Sequence, residues 1–222
     1  MKILLLILSS TGHEYKGFET LWRKYMHSHP DIDAYFYKGN PDLDDDAKLE
    51  GDVLWVKCPD TYDAVYEKLM RTFQYFHPQL DAYDLVFRTN MSSFLDFKKF
   101  RLHCERLPKT NCYAGVTSYD VDTNTGFVSG AGFAISPDLV KRLLQEQPPY
   151  VYLDDVTLGK AILSWGVPMI RANRVDVCGP SAYVYQHAVE PWEIIFHYRA
   201  RTDDRDKDVE RLTQIAEVLG AF

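Results

Sequence analysis

Residues 84–97 read DLVFRTNMSSFLDF: an apolar run, a polar tip, then an amphipathic stretch. A strand that carries side chains to a site beyond its carboxyl end has this order, with Arg88, Thr89, Asn90, Met91, Ser92 and Ser93 at its tip. Upstream, KILLLILS (2–9), DAYFYKG (33–39) and DVLWVKC (52–58) read as further strands. YKGFETLWRKYMHSHP (15–30) and TYDAVYEKLMRTFQYFH (61–77) read as amphipathic helices between them. This alternation predicts an α/β fold: a mixed, mostly parallel central sheet flanked by helices on both faces. Ligands of such sheets gather past the carboxyl ends of strands, where helix N-termini point inward. The polar residues after strands are therefore the first candidates: Ser9, Ser10 and Thr11, then Asp60 to Tyr62, then Arg88 to Ser93.

Downstream of the opening stretch, NCYAGVTSYD (111–120) and TGFVSGAGFAIS (125–136) read as strands joined by the polar turn DVDTNTG, an antiparallel or mixed addition to the sheet. Ser136-Pro137-Asp138 has the form of a helix start, with Ser as cap and Pro in the first helical position. LDDVTLGKAILSWG (153–166) reads as another helix, with Gly166 as its stop, and DVERLTQIAEVL (208–219) as a closing one.

The 222 residues, 46% hydrophobic, can bury a core as one domain. A formal charge of -7 removes the electrostatic footprint of a nucleic-acid binder. The apolar opening MKILLLILSS is too short for a membrane span and lacks a cleavage site, so it reads as a first buried strand, and no other stretch is long and apolar enough to span. Cys58, Cys104, Cys112 and Cys178 are scattered with no metal spacing and read as buried free thiols of a reducing compartment.

Several candidates have a structural reading beside a chemical one. Carboxylates at Asp154 and Asp155 satisfy orphan N–H groups in a first helical turn; alternatively one caps the helix and the other acts as a general base. Asp60 fits an N-cap with Asp63 three residues on, and Lys68 fits a solvated charge. Gly130-Ala131-Gly132 within a strand marks a bulge or a close approach by ligand or backbone. The literal Asp-x-Asp triplets at 42–44, 44–46 and 120–122 sit in turns, where Asp is common anyway. His187 and His197 fit packed rings. There is no Walker A sequence, no GxGxxG after the first strand, no HExxH and no GxSxG, which removes most support for P-loop, hydride-transfer, zinc-protease and serine-hydrolase chemistry.

Taken in order, EGDVLWVKCPDTYDAVYEKLMRTF, YDLVFRTNMSSFLDF, VSGAGFAISPDLVKRLL and LDDVTLGKAILSWGVPMI resemble the blocks of nucleotide-sugar glycosyltransferases of the GT-A fold. The likeness is to the β-1,3-galactosyltransferase and Fringe type and runs from about Glu50 to about Ile170. The RTNMSSF version, with a late HYRAR…DR tail ending at Arg205, looks like the glycosyltransferases of large DNA viruses, such as the chlorovirus enzyme that builds capsid glycans, and like some bacterial relatives.

This resemblance implies a single glycosyltransferase domain over residues 1–222, with a nucleotide-binding half at about 1–93 and an acceptor-binding half at about 94–222. It implies a UDP-sugar donor, a glycan or glycoprotein acceptor and an inverting hexosyltransferase. Asp155 matches the family's base, and Asp154 would orient the loop or bind a sugar hydroxyl. Ser9, Ser10, Thr11, Asp60, Tyr62, Lys68, Arg88, Thr89, Asn90 and Arg199 would hold the nucleotide sugar, and Gly130, Ala131 and Gly132 would let backbone approach the donor. The family's acidic triplet, which holds Mn²⁺ or Mg²⁺, reads Asn90-Met91-Ser92 here, so metal binding at Asn90, Ser92 and His187 is expected to be weak or absent, with Arg88, Lys68, Arg199 and Arg201 as the alternative cations. The family's Golgi members carry an N-terminal anchor; a chain that opens on its first strand is expected in the cytoplasm, host cytoplasm if viral, alone or as a module of a longer polypeptide. Two rival readings are a GT-A shell that binds nucleotide sugar or glycan without turnover, and a nucleotidyltransferase, although SSTGHEYKG lacks the dense glycines the latter needs.

Overall fold

The computed structural model describes residues 1–187 and 194–222. Its main sheet has eight strands. Four are parallel: β1 (Ile3–Leu8) pairs with β2 (Ile32–Gly39) and with β5 (Leu85–Asn90), and β2 pairs with β4 (Val53–Val56). Beyond β4 lies the antiparallel edge strand β3 (Ala47–Glu50). On the other side β8 (Thr125–Ile135) runs antiparallel to β5, followed by its hairpin partner β7 (Tyr113–Asp120) and the short β9 (Ile170–Arg171). The sheet is thus mixed, with a parallel centre, and it draws strands from both halves of the chain.

β1 explains why the sheet is covered twice. Its side chains alternate with period two, and all of Ile3 to Ile7 are buried. Ile3, Leu5 and Ile7 enter one core with residues of α1 (Lys16–Arg23), α3 (Phe97–Cys104) and α6 (Arg205–Val218). Leu4 and Leu6 enter the opposite core with residues of α2 (Val65–Phe76), α4 (Pro137–Glu146) and α5 (Asp154–Ser164). A second, four-stranded sheet is ordered β11 (Tyr183–His187), β10 (Arg174–Cys178), β12 (His197–Arg201), β6 (Ser93–Leu95). The chain crosses between the sheets at Met91-Ser92, and the crossing is pinned: Met91 N–H donates to Leu8 O at 3.1 Å and Trp22 Nε1–H to Met91 O at 2.9 Å.

Local expectations need two corrections. Ser136 precedes α4, but its hydroxyl accepts the Cys112 N–H at 2.9 Å and caps nothing in the helix. The helix after Asp60 begins only at Val65, because Asp60 is held elsewhere. Gly166, with φ of +78°, follows α5 as expected. All four cysteines are free; Cys58, Cys104 and Cys112 are buried and Cys178 is half-buried. Among the described residues no helix is long and apolar enough to cross a membrane.

Candidate active site

A cleft of about 390 Å³ opens at the carboxyl ends of β1 and β5. It is lined by Ser9, Ser10, Asp60, Thr61, Tyr62, Lys68, Asn90, Met91 and Ser92 from the first half, and by Arg199, Arg201 and Arg205 from the second.

On the strand-tip wall the charges are matched. Asp60 accepts from Lys68 Nζ at 2.5 Å, Thr11 N at 2.7 Å, Ser10 Oγ and Thr11 Oγ1 at 3.0 Å each, and Gly39 N at 3.1 Å. Burial alone would push this carboxyl up, but the bonds from Lys68, Thr11 and Gly39 outweigh it and hold the carboxyl at about 2. Asp60 therefore ties the loop after β1 to α2, and Lys68, 2% exposed, is its buried partner instead of a solvated charge. Glu19 likewise accepts from Ser9 Oγ at 2.6 Å and pairs with Lys38. Tyr62 stands exposed at the mouth.

The tip itself does not fit a divalent cation. Asn90 Oδ1 already accepts from Ser92 Oγ and Ser93 Oγ, both at 3.1 Å, and Met91 contributes a thioether beside Ser9 Oγ. Hard cations want several oxygens, mostly charged. Asp60, which lines the cleft, and Glu19, which holds Ser9, are each paired with a lysine. His187 does not join Asn90 and Ser92 in the lining; its Nε2 lies 3.1 Å from Asp176 Oδ2 on the neighbouring strand. Among the described residues no group of three His, Cys, Asp or Glu could hold a metal ion.

An acidic pair stands in the first turn of α5, outside the lining of the cleft. Asp154 pairs with Arg88 Nη2 at 2.8 Å, and Arg88 Nε–H donates to the Tyr37 hydroxyl at 3.0 Å. Arg88, 2% exposed, is thus committed beneath the site and does not line the cleft. Asp155 accepts from Gly130 N at 2.7 Å and from its neighbour Val156 N at 3.0 Å. Burial, then the charge of Asp154, raises its proton affinity against the opposing Gly130 N–H and Arg88. Two adjacent carboxylates are thereby differentiated: one in an ion pair, the other bound only by backbone N–H groups.

The glycines of β8 are explained by protein neighbours. A Cβ at Gly130 would meet Arg88 Nη1 at 2.6 Å and Asp155 Oδ2 at 3.1 Å, and one at Gly132 would run into the His197 ring. Gly130, Ala131 and Gly132 are all buried, so the expectation that they open the backbone to a donor sugar is corrected: they admit Arg88, Asp155 and His197. Thr89 is buried too, its hydroxyl donating to Ala131 O at 2.8 Å. His197 Nε2 meets Ser93 Oγ at 3.0 Å; burial, then Arg174 and Arg199, hold this imidazole neutral.

No protein-family model matches the chain, and no curated protein is significantly similar to it. Among solved structures it is similar to the crystal structure of a glycosyltransferase involved in the glycosylation of the major capsid of PBCV-1. The TM-score is 0.52 at 12% identity, over 96% of this chain and 100% of that one. The chain shares the fold of that structure. A likeness of this kind carries the architecture alone, so the roles of residues rest on the geometry above. In this fold Ser9, Ser10, Asp60, Tyr62, Lys68, Asn90, Ser92 and Arg199 share one cleft, with Thr11 bound to Asp60 at its edge. Tyr15 and Arg205 also line it and were not picked out as site residues by the sequence reading. Nothing near Tyr15 signals a site, whereas Arg205 follows the HYRAR segment closely enough that its basic run was a usable cue.

Proposed function

We propose that the chain transfers a hexose from a UDP-sugar to an acceptor hydroxyl with inversion, Asp155 acting as general base. The observation that carries this reading is the cleft itself, nucleotide-sized and lined on one side by arginines, to which Asp155 adds a carboxylate of raised proton affinity. In the step, the acceptor oxygen forms its bond to the anomeric carbon as the bond to the diphosphate oxygen breaks. The electron pair leaves on the diphosphate, and the acceptor proton passes to Asp155. Arg88 positions Asp154 so that its neighbour alone serves as base, and exposed Tyr150 and Tyr152, just ahead of α5, offer flat apolar faces to a sugar acceptor.

A panel of UDP-sugars assayed for UDP release with glycan acceptors tests this. We expect turnover with at least one donor, and a fall of about 10²–10⁴-fold in kcat in Asp155→Asn with UDP affinity unchanged. The acid limb of the wild-type profile lies above the ordinary aspartate value of about 4, because protonating Asp155 removes the base. The rival reading, a shell that binds nucleotide sugar without turnover, draws on the absence of acidic residues at Asn90-Met91-Ser92. UDP binding without release from any donor would favour it.

A further inference from the structure

The second wall of the cleft holds two arginines that form no ion pair among the described residues. Arg199 and Arg201, two residues apart on β12, line it together with Arg205 from the start of α6. The carboxylate opposite Arg199 in the sheet register is Asp176, but Asp176 accepts from Arg174 Nε at 2.6 Å and Nη2 at 2.9 Å and meets His187 at 3.1 Å. Among the described residues neither Arg199 nor Arg201 is in an ion pair, and Arg199 Nε is buried with no hydrogen-bond partner. Arg205 shares the buried Asp208 with Arg211, and its guanidinium lies over the rings of Tyr15 at 5.8 Å and Phe18 at 5.4 Å. Burial first, then Arg174, Arg201 and Arg205, make Arg199 a weaker base than usual, at about 10, which still leaves it charged at neutral pH.

A buried donor left unmade and like charges held together both cost stability. They are out of place in a chain of net charge -7 unless an anion completes them. The cleft they face is the one whose strand tip offers a divalent cation only neutral, already engaged oxygens. From these two facts we infer that Arg199, Arg201 and Arg205 take the place of a metal ion, binding the diphosphate of a nucleoside diphosphate directly. Arginine suits the task because its planar fork meets phosphate oxygens two at a time and its charge does not titrate near neutrality. Assigning the ligand as a sugar-nucleotide diphosphate rests on the transferase reading, while the arginine site is tested by binding alone.

The experiment is calorimetric titration of the full chain with UDP, and separately with inorganic pyrophosphate, in EDTA and in Mn²⁺. We expect UDP to bind in EDTA within about twofold of its affinity in Mn²⁺, pyrophosphate to compete, and Arg199→Gln and Arg201→Gln each to weaken UDP by about tenfold or more. Arg201 is exposed, so its variant keeps its fold, as circular dichroism will verify. UDP binding only with Mn²⁺, undiminished binding in both variants, or no UDP binding at all would each overturn the inference. Binding in EDTA by a protein that turns over no donor supports the arginine site and removes the transferase reading instead.

Discussion

The two walls of the cleft handle charge in opposite ways. On the wall built from β1, β5 and α2, the buried cation has its carboxylate: Lys68 has Asp60, and Arg88 just beneath has Asp154. On the wall built from β12 and the start of α6, Asp176 serves Arg174 and His187 and, among the described residues, Arg199 and Arg201 stay unmatched. A matched buried pair holds geometry, and removing one partner strands the other. An unmatched cluster is a standing cost that a ligand relieves. The contrast therefore separates residues that shape the site from residues that await a substrate, which exposure alone does not do.

The contrast can be broken most forcefully at Arg88. Arg88→Met strands Asp154 and removes the donor to Tyr37, so denaturant unfolding should show a loss of about 3–5 kcal/mol. Next comes Asp60. With a native value of about 2 against about 4 when unfolded, its carboxylate contributes about 2 kcal/mol above pH 4. That contribution is lost as pH falls from about 4 to about 2, since the unfolded chain then takes up the proton first. Asp60→Asn should accordingly be less stable than the wild type at pH 7, and the gap should narrow through that window in thermal melts. The smallest effect belongs to the other wall: Arg201→Gln should leave Tm unchanged or slightly raised, because it relieves repulsion and breaks no pair. A marked loss of stability in that variant would show that the second wall is structural after all.

Much of the frame was legible because it rests on local pattern. The strand–helix alternation of the first ninety residues, the burial of β1 and the acidic first turn of α5 all follow from periodicity and the helix dipole. The gathering of Ser9, Ser10, Asp60 and Asn90 followed from the rule that polar strand ends converge. What was not legible depends on distant partners. Asp60 looks like an N-cap until Thr11, 49 residues away, and Lys68 claim it. Gly130 and Gly132 look like ligand contacts until Arg88, Asp155 and His197 fill their space. His187 looks like a late metal ligand until the second sheet sets it against Asp176. The second sheet itself, which brings the arginines to the cleft, joins β6 to β12 across about a hundred residues, beyond any local signal.

The division of labour between the base on α5 and the arginines of β12 is read from steady-state kcat and KM for the best UDP-sugar donor, in EDTA, for the wild type, Asp155→Asn and Arg201→Gln. The account predicts that Asp155→Asn loses kcat with donor KM nearly unchanged, while Arg201→Gln raises donor KM by about tenfold. Equal losses of kcat and KM in both variants, or wild-type turnover that appears only when Mn²⁺ is supplied, would contradict it.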